Sequence, residues 1–173
     1  MRNLTRRERY NEKKKGSKIF PFSLVTCNFM HDGNLAYIIR AAACFGAESV
    51  HVIGSIPARK ELNPLSGSTC DYVKIVQHKS PSDFLEHARN HDCEIVSAEL
   101  DKGSVALRDY RPDFEKHTMI VLGHEEIGVP VEILVNSTKV FIPMPGVGFC
   151  LNTSQTGNIM LYEMVNKYME ADC

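Results

Sequence analysis

Thr118-Met119-Ile120-Val121-Leu122-Gly123-His124-Glu125-Glu126-Ile127-Gly128-Val129-Pro130 carries five apolar or β-branched residues straight into a loop with glycines five positions apart and two carboxylates between them. An unbroken apolar run of this length, closed by turn residues, reads as a strand buried on both faces, as in parallel sheets. Glycine lets the following backbone approach a ligand closely or take positive φ. The loop lacks the Lys-Ser/Thr of a phosphate loop and is not Gly-x-Gly-x-x-Gly. An ordinary turn with solvated Glu125 and Glu126 is the alternative.

Working outward, Phe22–Cys27, Ser49–Ile53, Tyr72–Val76, Glu94–Ala98 and Lys139–Ile142 read as further strands. Helices are expected over Asn34–Phe45, within Pro57–Ser68, from a Ser82 cap to Asn90, near Val131–Asn136 and over Ser154–Glu170. Gly46 is a plausible helix stop, and residues 99 to 112 read as a polar loop. Strands alternating with helical crossovers imply an α/β domain with a mostly parallel sheet. Ligands of such sheets sit at the carboxyl ends of the strands.

Two other segments carry polar groups at such ends. In Asn34 to Gly46, Arg40 is the only charged residue of an otherwise nearly apolar helix. It therefore needs a carboxylate, phosphate or carbonyl partner, or it faces solvent. Asp32 or Asn34 could simply cap that helix. In Val140 to Thr156, a strand stops at Pro143 and enters a Pro/Gly loop ending in Cys150, Leu151, Asn152 and Ser154. Ser154 is a credible N-cap, and Cys150 near a helix start is a candidate nucleophile that lacks a base at recognisable spacing.

The chain has 173 residues, 43% hydrophobic and 24% charged, which suits one globular domain. No run reaches the ~20 apolar residues of a membrane span, and the polar start has no signal-peptide core. The net charge of −1 conceals a segregation. Residues 1–19 hold eight basic side chains against Glu8 and Glu12, whereas the remainder holds 12 basic and 19 acidic. The division is a basic arm, 1–19, and a single domain, 20–173. Such an arm suits phosphate backbones, or it serves as a solubilising tail. The six cysteines include no Cys-x-x-Cys and read as reduced cytosolic thiols, so no structural zinc is expected.

Together the three segments resemble the motifs of the SpoU-type (TrmH-like) RNA ribose 2′-O-methyltransferases of the SPOUT superfamily, over about residues 22–170. The first segment is similar to Asn-x-Gly-Ala-x-x-Arg with a trailing Phe-Gly, the second to Leu-Gly-x-Glu-x-x-Gly, the third to Ile-Pro-Met…Ser-Leu-Asn-x-Ser. The resemblance implies an α/β fold with a C-terminal deep trefoil knot. It also implies S-adenosylmethionine as cofactor, held by Ala98, Leu122, Gly123, Ile142, Met144 and Leu151, with S-adenosylhomocysteine as product and no metal. Arg40, Asn34, Glu125, Cys150 and Asn152 match the catalytic positions. The implied substrate is tRNA or rRNA, met by a cytoplasmic homodimer, with Arg6, Arg7, Arg9, Lys13, Lys14 and Lys15 as the RNA-binding side chains. Ala36 stands where the pattern has glycine and Cys150 where it has serine, and Gln155-Thr156-Gly157 is more polar than usual. A non-catalytic RNA-binding or assembly protein on this fold and an RNA base methyltransferase are the alternatives.

Overall fold

In the computed structural model, which describes residues 4–148 and 150–171, the apolar runs form β1 (Phe20–Cys27), β2 (Ala47–Ile53), β3 (Lys74–His78), β4 (Glu94–Ala98), β5 (Val105–Ala106), β6 (Thr118–Leu122) and β7 (Thr138–Phe141). The helices are α1 (Arg6–Lys14), α2 (Asp32–Phe45), α3 (Arg59–Ser66), α4 (Pro81–Asn90), α5 (Val131–Leu134) and α6 (Thr153–Ala171). Arg2 of the basic arm and Cys173 lie outside the described residues. The sheet has the order β3-β2-β1-β6-β4-β7-β5 and every pairing is parallel. The expected α/β architecture, a parallel sheet flanked by helices, is therefore present.

β1 divides two cores by simple alternation. Phe22 and Leu24 join Ile120, Leu122, Ile38, Met160 and Met164 on the side of α2 and α6. Val25 and Cys27 join Met119, Val121, Phe84 and Ile133 on the side of α4 and α5. Burial pushes the Cys27 thiol up to about 12, so it is an inert packing group. Gly46 ends α2 at φ 74, where a Cβ would lie 2.4 Å from the Lys18 carbonyl.

Some local expectations change. Ser80 rather than Ser82 caps α4, accepting from the Asp83 N–H, because Pro81 takes the first helical position. β3 lies two residues later than expected, and the polar loop after β4 contains the two-residue β5. The basic arm is helical: Thr5 and Glu8 form a capping box at the start of α1. α6 is capped by Asn152 instead of Ser154, the Asn152 Oδ1 accepting from the Ser154 N–H at 2.9 Å. Near the other end of α6, the buried Lys167 ammonium donates to the carbonyls of Leu107, Tyr110 and Arg108 and lies 3.4 Å from Glu163. That side chain ties the connection between β5 and β6 onto α6.

A polar chain crosses the α4 side of the sheet. His117 Nε2 meets Ser23 Oγ at 2.8 Å, Ser23 meets Ser49 at 2.7 Å, Ser49 meets His51 Nε2 at 3.0 Å, and His51 Nδ1 meets His78 Nε2 at 2.8 Å. Burial holds the His51 imidazole down to about 3, helped by the charges of His78, His87, His117 and Lys74. His78, His87 and His117 are also lowered, chiefly by burial, with Asp83 and Glu48 opposing. A His held neutral in the fold but titrating near 6.5 when unfolded contributes stability that is complete above pH 6.5 and is lost as pH falls toward 3. The urea midpoint is therefore expected to fall between pH 7 and pH 5, with His51 alone contributing up to about 1.4 kcal/mol per pH unit. His51→Gln should flatten that decline; a midpoint constant over this range would contradict the argument.

Candidate active site

The loops after β1, β6 and β7 meet through one carboxylate. Glu125 Oε2 accepts the Met30 N–H at 2.9 Å, and its Oε1 accepts the His31 N–H at 3.3 Å and the Asn34 side-chain amide at 2.6 Å. The Asn34 carbonyl oxygen accepts from the Asn152 amide at 3.0 Å. Asn152 Oδ1 in turn accepts from the N–H and hydroxyl of Ser154 at the start of α6. Burial would raise the Glu125 carboxyl, but the donors from Met30, Asn34, its own backbone and His31 hold it below the usual carboxylate range. Asn34 is thus neither a cap nor a surface residue; it is buried at the centre of the network.

Gly123 is fixed by contact. The 124–128 loop closes on itself through reciprocal His124 and Gly128 backbone hydrogen bonds at 3.0 Å. A Cβ on Gly123 would lie 2.5 Å from the Gly128 carbonyl carbon and 2.7 Å from the Val129 nitrogen. The Thr153 hydroxyl donates to the Gly123 carbonyl at 3.1 Å, binding this loop to α6. His124 Nδ1 accepts the Glu126 N–H at 3.1 Å, a further bond within the loop.

The loops after β4, β6 and β7, with the start of α6, enclose a cleft of about 240 Å³. Ala98, Leu122, Gly123, Ile142, Met144 and Leu151, all expected from the sequence, line it, as do Glu125 and Cys150. Asn34 and Asn152 instead form part of an adjoining cleft of about 680 Å³ that also contains Arg40, Tyr37, Gln155 and Asn158. Arg40 is exposed and forms no ion pair among the described residues, so the solvent-facing alternative describes it. Cys150 is exposed, and no base among the described residues hydrogen-bonds its sulfur, which leaves the thiol-nucleophile reading without an activating group. Arg6, Arg7, Arg9, Lys13, Lys14 and Lys15 lie exposed on or just after α1, outside the cleft.

The sequence reading missed Glu99, His124, Thr153, Thr156 and Met160 of the lining. Glu99 was within reach, since it directly follows the carboxyl end of β4. Its Oε2 lies 3.4 Å from the Val129 nitrogen, so a second carboxylate flanks the glycine loop. Apolar walls, a backbone cradle that a Cβ would fill and two flanking carboxylates suit a flat heteroaromatic group bearing a cationic arm. Among the described residues, no group of three or more His, Cys, Asp or Glu side chains is arranged to hold a metal ion. No helix among them is long and apolar enough to cross a membrane.

Residues 21–162 match the model of the SpoU rRNA Methylase family. The chain is 29% identical over 138 residues to a tRNA (guanosine(18)-2′-O)-methyltransferase of Aquifex aeolicus, covering 79% of this chain and 64% of that protein. It is also 29% identical over 143 residues to a 23S rRNA (uridine(2479)-2′-O)-methyltransferase of Streptomyces viridochromogenes, covering 78% of this chain and 49% of that protein. It thus spans less than two thirds of either relative's length. Among solved structures, an AdoMet-bound rRNA methyltransferase from Sinorhizobium meliloti superposes with a TM-score of 0.77 at 25% identity, covering 86% of this chain and 58% of that one.

The network has a direct energetic test. Asn34→Leu removes the shortest donor to Glu125 and the acceptor for Asn152. It should cost about 1.5–3 kcal/mol in urea unfolding at pH 7, because hydrogen bonds to charged groups are worth that much net and leave unpaired partners when cut. A depressed carboxyl stabilises the fold above its unfolded value and loses that contribution as pH falls. The penalty of Asn34→Leu should therefore shrink below pH 4; an equal penalty at pH 7 and pH 3.5 would argue against the network.

Proposed function

Because the chain belongs to the SpoU rRNA methylase family, we propose that it transfers a methyl group from S-adenosylmethionine to a ribose 2′-hydroxyl of tRNA or rRNA. The observation that carries this reading is the Glu125–Asn34–Asn152 network, which joins all three motif segments at the edge of a glycine-walled apolar cleft. Ala98, Leu122, Gly123, Ile142, Met144 and Leu151 would hold the cofactor, their apolar surfaces against its adenine and the backbone of the Gly123 loop within reach of its polar edge. Bound there, S-adenosylmethionine supplies an electrophilic methyl on sulfur for in-line attack and departs as S-adenosylhomocysteine.

A guanidinium is a donor with no acceptor, so the work of Arg40 is electrostatic: it stabilises the developing alkoxide or grips the adjoining phosphate. Glu125, Asn34 and Asn152 fix the wall between the two clefts and orient the ribose. Cys150 sits where a hydroxyl donor would serve, and its weaker S–H lowers the rate without removing the reaction. Arg40 lines the adjoining cleft rather than the cofactor cleft, and Tyr37, Ile159 and Tyr162 are exposed nearby on α2 and α6. Both features support a homodimer in which each copy presents its arginine to the other's cleft. The path of the chain supports a C-terminal trefoil knot. After β7 comes α6, which packs on α2 and is tied by Lys167 to the connection that follows β5. The division into a basic RNA-binding arm, 1–19, and a catalytic domain, 20–173, completes the reading. A cytoplasmic location goes with it, supported by five unpaired cysteines among the described residues.

The test is methyl transfer from labelled S-adenosylmethionine into RNA, with the ribose site read by resistance to alkaline cleavage and base methylation excluded by nucleoside analysis. Arg40→Ala should lower turnover ~100-fold or more, as loss of an oxyanion donor does, while calorimetric cofactor affinity stays within twofold. Gly123→Ala should do the reverse, weakening cofactor binding first. Undiminished transfer by Arg40→Ala, or no cofactor binding by the wild type at millimolar ligand, would overturn the assignment.

A further inference from the structure

The basic arm has a structural address. The Tyr10 hydroxyl donates to the Gly67 carbonyl at 2.9 Å. The Tyr10 ring meets Tyr72 edge-on, centroids 5.1 Å apart, and the Tyr72 hydroxyl returns a hydrogen bond to Asn11 Oδ1 at 3.2 Å. Gly67 is the left-handed residue that ends α3, at φ 67. A Cβ built on it would lie 3.7 Å from the Arg40 guanidinium carbon and 3.7 Å from the Tyr10 oxygen. Arg40 and the docking point of α1 therefore share one backbone corner.

The charges follow from that corner. Arg6, Arg7, Lys13 and Lys14 stand three or four residues from Tyr10, so on a helix they flank the docked face. Lys13, Lys14 and Lys18 line a groove of about 460 Å³ together with Arg40, with Glu48 as its carboxylate. Guanidinium and ammonium groups gathered along one groove suit a polyphosphate chain better than a loose tail does, because the docked helix has already lost backbone freedom that binding would otherwise take.

We infer that α1 is an RNA-backbone clamp, docked through Tyr10 on Gly67, which holds phosphates in register with Arg40. This rests on the RNA substrate proposed above. It assigns to Tyr10 a positioning role: the tyrosine carries no charge for RNA, yet it decides where the arm's charges stand.

The test keeps the charge and removes the docking. Wild type, Tyr10→Ala, Tyr10→Phe and a chain lacking residues 1–18 are compared for binding to labelled unfractionated tRNA without methyl donor, at 50 and 200 mM salt. Trypsin cleavage after Lys13, Lys14 and Lys15 reports docking independently of RNA. Tyr10→Ala should be cut at least fivefold faster, bind roughly tenfold more weakly at 50 mM salt, and show a shallower log–log salt slope, each lost phosphate contact removing about 0.7–0.9. Tyr10→Phe, which keeps the ring and loses one hydrogen bond, should fall between. If truncation weakens binding but Tyr10→Ala does not, the arm is a flexible polycation and the clamp is refuted while the methyltransferase reading stands. Binding unchanged by both variants refutes the clamp as well. A wild type that neither binds nor methylates RNA overturns the functional reading and the clamp with it.

Discussion

The Glu125 carboxylate is the constraint on which the rest of the site depends. A partly buried carboxylate persists only where donors replace water, and here Met30, His31 and Asn34, all outside its own loop, join its own backbone N–H. Asn34 has two ends. Its amide serves Glu125 and its carbonyl serves Asn152, so neither asparagine can turn without leaving a partner unmatched. Asn152 is also spoken for at its oxygen, by the first turn of α6. One charge thus fixes the loop after β1, the loop after β6 and the entry to α6.

That network can form because the sheet is parallel and its strands end nearly flush. Thr26 pairs with Leu122, Leu122 with Ala98, and Ala98 with Val140, so four neighbouring strands finish on the same edge. β6 lies between β1 and β4, which brings a late loop beside an early one. Gly123 then lets the 124–128 turn fold back against its own base, where any side chain would hold it open. Cleft walls and polar network are two consequences of one edge.

Much of this was legible in the residues. The cores of six of the seven strands and the extent of α2 follow from apolar runs and from Gly46, whose left-handed turn no other residue adopts as easily. The six residues assigned to the cofactor came from the family resemblance rather than from periodicity, and all six line one cavity. β5 was not legible: two residues carry no period, and only pairing with β7 makes Val105–Ala106 a strand. α1 was hidden because its pattern is almost wholly charged and buries no residue; its helical signal is the capping box at Thr5 and Glu8. Ser154 had the chemistry of a cap, and Asn152 prevailed because its carbonyl already lay over the first turn of α6. The histidine chain was out of reach, since Ser23, Ser49, His51 and His78 meet only through the register of β1, β2 and β3.

The protonation states then constrain the chemistry. A base must hold a lone pair free for the incoming proton and must gain affinity for it. Glu125 fails the second condition: Met30, His31 and Asn34 donate to its oxygens, and those donors lower its proton affinity. Arg40 carries a guanidinium, which donates hydrogen bonds and offers no acceptor lone pair. On the proposed reaction the site therefore works by placement and by positive potential at the ribose oxygen, and the proton leaves as the oxygen loses it to solvent or phosphate. This division suits the geometry, in which the carboxylate stiffens the wall and the guanidinium stands apart in the adjoining cleft, at a corner shared with α1.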